Sequence, residues 1–219
     1  MRTKKTLAQQ FVTETEQKTI SAVVQQMEQQ TSGEIVPMVV SASHSYPAAI
    51  ICGATALALP LALLLMPVVG GLFWLGSQNV WIFIALFLAL YGIFYGLVHR
   101  FSWLKRLFLS RSQVEAEVQE AALASFFSER LYKTKDANGI LIFISVLERK
   151  VWVLADAGIT ARIDPGQWQG VIDLITKGIK EKRQCEAICQ AIVQIGELLK
   201  THFPHQKDDI DELHNIIVR

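Results

Sequence analysis

The sequence predicts an α/β fold with a small central sheet flanked by helices, interrupted by an inserted transmembrane helical hairpin. Three observations predict it. First, no Asp, Glu, Lys or Arg occurs from Ile35 to His99, so nearly every charge lies in the N-terminal arm or after that block. Second, short runs rich in β-branched residues stand on both sides of it, at Glu34 to Val40, Gly139 to Val146 and Lys150 to Ala155. Third, the remaining soluble segments carry apolar residues at helical spacings.

The chain has 219 residues, a formal net charge of +1 and 51% apolar residues. A near-neutral balance argues against a nucleic-acid partner, which calls for a basic face. Three cysteines, Cys52, Cys185 and Cys189, are an odd count with two at helical spacing, which is no disulfide framework. Met1 to Lys5 is basic like a signal peptide but runs into Gln9, Gln10, Thr13 and Glu14, so a cleaved secretion signal is not expected.

In chain order, Leu7 to Gln30 reads as one amphipathic helix through Leu7, Phe11, Ile20, Val23, Val24 and Met27. Thr31, Ser32 and Gly33 end it, and Glu34 to Val40 follows as a strand that Pro37 places at an edge or bulge. Ala48 to Val69 and Val80 to Val98 are each uncharged and long enough for a hydrocarbon layer of ~30 Å at ~1.5 Å per residue. Pro60 should kink the first span. Gly70 to Asn79 permits only a tight turn, and Trp74 and Trp81 suit the interfacial belt, so the spans run antiparallel.

Arg100, Lys105, Arg106 and Arg111 follow the second span while the loop between the spans has no charge, which predicts both termini on the cytoplasmic side of a cell inner membrane. Phe101 to Leu109 alternates aromatic, apolar and basic residues, as an interfacial helix on anionic headgroups does. Ser112 to Leu131 reads as a helix with Ser112 as N-cap and Glu115 completing a capping box. Gly139 to Val146 and Lys150 to Ala155 form a β-hairpin. A further helix opens at Pro165 with Asp164 as its N-cap and runs to about Gly178; another spans Cys185 to His202 and stops at Pro204. The tail Asp208 to Arg219 adds a short final element. A lone strand before the spans is unstable in water, so the spans must be an insertion within one fold. The predicted parts are residues 1–45, the hairpin 46–99, and residues 100–219.

Several segments resemble the TPM domain in order: Thr31-Ser32-Gly33-Glu34-Ile35, Asn138-Gly139-Ile140-Leu141-Ile142, Glu148-Arg149-Lys150-Val151 and Ala155-Asp156-Ala157-Gly158-Ile159. Trp168, the Ala191 to Leu199 helix, His202-Phe203-Pro204 and Asp209 to Asn215 are similar to the bacterial membrane-anchored branch of that family. The resemblance implies a TPM-like sandwich of a small sheet and helices. It also implies three activities that do not coincide: acid phosphatase activity, calcium binding, and assembly or repair of membrane complexes. Many relatives carry the domain outside the cytoplasm behind a signal peptide, so a lumenal role does not transfer directly.

Acidic residues at strand ends are the candidate site, since α/β sheets place ligands there. Glu34 begins the first strand, Asp136 precedes the second, Asp156 follows the third and Asp164 starts a helix. Converging carboxylates suit calcium or magnesium, and with a phosphate ester bound Arg149 or Arg162 would grip the phosphate. Asp164 equally fits an ordinary N-cap and Asp136 an ordinary polar turn. Asp209 to Leu213 superficially matches an aspartyl-nucleophile motif but follows Pro204, where a solvated turn is expected. No phosphate loop and no nucleophile elbow occurs. His202 with His205 lacks further ligands, and Cys185 with Cys189 reads as a buried thiol pair.

Two functions follow. One is an accessory or assembly protein at the cytoplasmic membrane surface, in contact with the bilayer and with a larger membrane complex or further copies of itself. The alternative is a calcium- or magnesium-dependent phosphatase acting on phosphate monoesters. Gly53, Ala54, Ala56 and Ala58 in the first span, and Gly92 and Gly96 in the second, permit close helix contact.

Overall fold

The structure is a computed structural model describing residues 5–74, 79–134, 136–164, 166–205 and 214–219. The basic start at residues 1–4, the centre of the turn between the spans at 75–78, Pro165, and most of the acidic stretch before Asn215 lie outside the described residues. The chain divides into a unit of residues 1–44 with 115–219 and a second unit of residues 45–114.

The first unit opens with two helices rather than one. Helix α1 is Leu7–Phe11 and α2 is Glu14–Glu28. Each begins with a reciprocal capping box, Thr6 with Gln9 and Thr13 with Glu16. Two closely spaced start signals outcompete the apolar periodicity that suggested continuity. Strand β1 is Glu34–Val40, β2 is Gly139–Ser145, β3 is Lys150–Ala155 and β4 is Ile217–Val218. Among the described residues they form one sheet in the order β3-β2-β1-β4. β1 is parallel to both neighbours, while β2 and β3 form the expected antiparallel hairpin.

The expectation of an edge position for Pro37 needs correction, because β1 lies inside the sheet. The Val39 carbonyl accepts from the Arg219 amide at 2.9 Å, and the Ser41 amide donates to the Arg219 carbonyl at 2.8 Å. Alternate residues point the same way, so Pro37 turns its nitrogen toward the β4 side as well. β4 reaches only as far as Met38, so the missing N–H has no partner to lose. Two residues earlier, on the same side, the Ile35 amide donates to the Glu28 carboxylate at 3.3 Å. Side chains and a proline finish the edge that β4 leaves open.

Parallel neighbours require a crossover connection, and the one between β1 and β2 contains the apolar hairpin and helix α6, Arg111–Ser128. α6 starts one residue before Ser112, so Ser112 is not its N-cap. Glu115 bonds the Lys150 ammonium at 2.6 Å instead of closing a capping box. Near its other end, Glu129 pairs with Arg219 at 2.7 Å. These pairs tie α6 to Lys150 of β3 and to Arg219 just beyond β4; Val118, Ala122 and Phe126 of α6 are buried at spacings of four, and Val36, Met38, Leu141 and Phe143 are buried on the sheet face opposite to Ile35 and Ile140.

The opposite face packs Ile35, Val39, Ile140, Ile142 and Ile144 against α2, α8 (Gln167–Lys180) and α9 (Gln184–His202). Gly178 and Gly196 are needed there: a Cβ on Gly178 would lie 2.1 Å from Ala187 Cβ, and one on Gly196 2.8 Å from Met27 Sδ. A four-residue helix α7, Ala157–Thr160, not expected from the sequence, follows β3.

In the second unit, α3 (Pro47–Leu72) and α4 (Val80–Arg100) are long and apolar enough to cross a membrane. α3 runs as one helix through Pro60 and Pro67. Its Ala54, Ala58 and Ala62 are fully buried at spacings of four, a flat strip on which a neighbouring helix packs closely. On α4 the rings of Phe83, Phe87, Tyr91, Tyr95 and His99 follow one another at 5.9 to 6.5 Å. A Cβ added at Gly92 or Gly96 would meet nothing within 4 Å outside its own helix. Trp74 and Trp81 are exposed at the turn. Helix α5, Ser102–Leu107, returns along the start of α3: the Lys105 ammonium donates to the Ser45 carbonyl at 2.7 Å, and the Phe108 ring fills the space beside Gly53.

Candidate functional site

The strand directions bring three of the four predicted carboxylates to one end of the sheet. β1 and β2 start there and the antiparallel β3 ends there. Glu34 therefore opens β1 beside the Asp136–Asn138 loop, and Asp156 closes β3 beside the same loop. Backbone bonds knit the loops together: the Glu34 amide donates to the Asn138 carbonyl at 3.2 Å, Asp156 to Gly139 at 2.9 Å and Gly158 to Ala137 at 3.1 Å. The Asn138 side-chain amide donates to the Ser32 carbonyl, and its backbone amide to the Thr134 hydroxyl at 3.0 Å.

Two glycines permit this approach. A Cβ at Gly139 would stand 2.5 Å from the Leu131 carbonyl oxygen, and one at Gly158 would stand 2.6 Å and 2.8 Å from the carbonyl oxygens of Ala137 and Asp136. These neighbours are backbone and cannot swing aside.

The end of α9 clamps the first loop. The Phe203 carbonyl accepts from the Thr31 hydroxyl at 2.6 Å and the Ser32 amide at 3.1 Å, while the Ser32 hydroxyl donates to the Pro204 carbonyl at 3.2 Å. Arg162 stacks over the Phe203 ring at 4.5 Å and donates to the His202 carbonyl at 2.9 Å.

Each predicted residue has a definite place. Asp156 is the N-cap of α7, its Oδ1 accepting from the Ala157 amide at 2.7 Å. Its Oδ2 is buried and has no hydrogen-bond partner among the described residues, and the same holds for Oδ1 of the buried Asn138. Asp136 is exposed and Glu34 is buried. Asp164 turns its carboxylate back to the Gly166 amide at 2.9 Å within its own loop; the expected N-cap role is corrected, because α8 starts at Gln167 with Gly166 as its N-cap.

Among the described residues no three His, Cys, Asp or Glu side chains gather where one metal ion touches all of them. Arg149 sits at φ 53° in the turn between β2 and β3, at the opposite end of the sheet and roughly 20 Å away at strand rise. It cannot act with the carboxylates, whereas Arg162 lies on their side.

Asn138, Ser32 and Phe203, which organise the loops, were not identified as site residues from the sequence. Their signal lies in the Thr31-Ser32-Gly33, Asn138-Gly139 and His202-Phe203-Pro204 segments themselves, but a side-chain amide reaching a distant carbonyl leaves no periodicity to read. Elsewhere, burial and Cys185 beside it push the Cys189 thiol up to about 11, and burial with the Glu16 carboxylate raises Cys185. Both thiols are half-buried rather than buried as expected, and the raised values keep them neutral at ordinary pH.

Residues 108–198 match the family profile described as the TPM domain. The fold is similar to the NMR structure of BA42 protein from the psychrophilic bacterium Bizionia argentinensis, with TM-score 0.58, 20% sequence identity, and 95% of this chain and 94% of that chain covered. At that identity the likeness speaks for the fold. No curated protein matches the sequence. Residues 108–198 thus carry the match to the TPM domain, and the mixed sheet flanked by helices is the fold shared with the BA42 structure.

Proposed function

We propose that this is a membrane-anchored TPM-domain protein that serves as an accessory or assembly factor at the cytoplasmic surface of a bacterial inner membrane. The observation that carries the reading is α4, whose most apolar stretch has no buried residue although it is long enough to span. Such a helix is soluble only when lipid or another membrane protein covers it. Arg100, Lys105, Arg106 and Arg111 crowd the end of the second span, which favours cytoplasmic termini. The open Gly92 and Gly96 support close approach by a helix of a larger complex or of another copy. A reporter fused after Arg219 should be active only in its cytoplasmic form, and detergent extraction should recover the chain with a partner or as an oligomer. A reporter active outside the cytoplasm, together with recovery as a lone monomer, refutes the reading.

A second reading rests on Asp156 Oδ2 and Asn138 Oδ1, two buried acceptor oxygens without donors at the end of the sheet. Unmet hard-oxygen acceptors suit calcium or magnesium. Asp156 and Asn138 would hold the ion, with Glu34 and Asp136 on the same loops and Asp164 at the next turn. A bound ion there supplies charge neutralisation for phosphate-monoester hydrolysis. The purified chain should hydrolyse an aryl phosphate only with added calcium or magnesium and lose this activity in Asp156→Asn. Equal rates in the variant and the parent exclude the enzymatic reading.

A further inference from the structure

We propose that the C-terminal end of α6 and the turn after it form a docking face for an anionic lipid surface, carried by the soluble unit itself. Among its described residues, the exposed large apolar side chains of this unit are Leu123 (48%), Phe127 (54%), Tyr132 (44%) and Val193 (41%). Scattered exposed apolar residues are ordinary, but three of these make one patch. Leu123 and Phe127 lie one helical turn apart on the side of α6 away from the sheet. The Phe127 and Tyr132 rings are 5.4 Å apart, and buried Phe126 meets Phe127 edge-on at 6.0 Å, anchoring the patch to the core.

The charge around the patch selects the occupant. Arg130 and Lys133 are exposed beside it, with the Lys133 ammonium 6.0 Å from the centre of the Tyr132 ring. Glu129 pairs with Arg219 at 2.7 Å, and the exposed Glu120 and Asp136 stand outside the segment Leu123–Lys133 that carries the patch and its two basic residues. Aromatic and aliphatic side chains beside exposed basic ones are the composition of a surface that settles at headgroup level. A second copy on the same patch would set Arg130 and Lys133 against like charges, which costs affinity.

The proposal rests on the reading that α3 and α4 span a bilayer. Only residues 101–110 separate α4 from α6, and so short a tether keeps the patch at high local concentration near lipid.

The test places the photoreactive analogue p-benzoylphenylalanine at Phe127 in the full chain, reconstituted in nanodiscs of phosphatidylcholine alone or mixed with phosphatidylglycerol. Illumination should give a lipid adduct, roughly fivefold or more abundant in the anionic discs. Arg130→Glu with Lys133→Glu should reduce it to the phosphatidylcholine level, and the same analogue at Val193 should give no lipid-dependent adduct. Equal adducts in the two lipids, equal adducts at the two positions, or crosslinking to a second copy or another protein overturns the proposal. A chain that does not enter nanodiscs refutes the spanning reading instead, and the docking face then stands or falls on the same crosslink to liposomes of the two compositions.

Discussion

Removing the carboxylate of Glu148 should be the most destabilising single change at the end of the sheet away from the candidate site. Glu148 lies in the turn between β2 and β3 and is nearly buried. One oxygen accepts from the fully buried Ser145 hydroxyl and the other from the Ser43 amide at 3.0 Å, so the side chain ties the hairpin turn to the loop that leaves β1. Glu148→Ala strands both donors, at about 1–3 kcal/mol for each group left without an acceptor. A total near 3 kcal/mol lowers the melting temperature of a unit this size by roughly 6–12 °C. Glu148→Gln keeps one good acceptor and should fall between the parent and the alanine variant. Adding Ser145→Ala to Glu148→Ala removes one stranded donor and should recover part of the loss, because deleting both partners of a buried bond costs less than deleting one. Thermal unfolding of the detergent-solubilised chain by circular dichroism measures these three variants and Ser145→Ala alone. An alanine variant melting within about 1 °C of the parent, or a double variant showing the full sum of the single losses, refutes this account.

Gly158→Ala should lower the melting temperature through a cost of about 1–3 kcal/mol, because its methyl group would overlap the Ala137 and Asp136 carbonyls. Gly170→Ala should raise it through a gain of up to about 1 kcal/mol, since a Cβ at that site in α8 would have only Gln194 Nε2 nearby, at 3.8 Å. Thr13→Ala breaks the capping box of α2 and should cost about 1 kcal/mol in the same melt. At pH 8, Cys189 should alkylate about a hundredfold more slowly than an unperturbed thiol, read by mass spectrometry, because its value near 11 stands above the ordinary 9.0. The unfolded thiol ionises first as pH rises, so the stability that Cys189 contributes below pH 9 should be lost between pH 9 and 11.

The sequence by itself determined the two apolar helices, since a hydrocarbon layer tolerates no unpaired charge and the block from Ile35 to His99 contains no charged side chain. It also determined the β2–β3 hairpin, whose short turn leaves no other pairing, and α8 and α9, whose apolar spacing is local. Thr6 to Gln9 and Thr13 to Glu16 were equally legible as capping boxes, and they divide a stretch whose apolar pattern alone looks continuous. Partner order was not legible. Nothing local in Glu34–Val40 says that it pairs in parallel with a strand some hundred residues later, or that the last residues of the chain close its other side.

For the candidate site, the sequence located Glu34, Asp136 and Asp156 at strand ends. Only the tertiary structure decided that these ends coincide, that Asp164 is occupied with its own loop and that Arg149 lies at the far end. The physical reason is that a strand end is a property of a few consecutive residues, whereas the shared end of a sheet depends on strand direction. Direction is set by long-range contacts such as the Asn138 amide on the Ser32 carbonyl and the Phe203 carbonyl on Thr31 and Ser32.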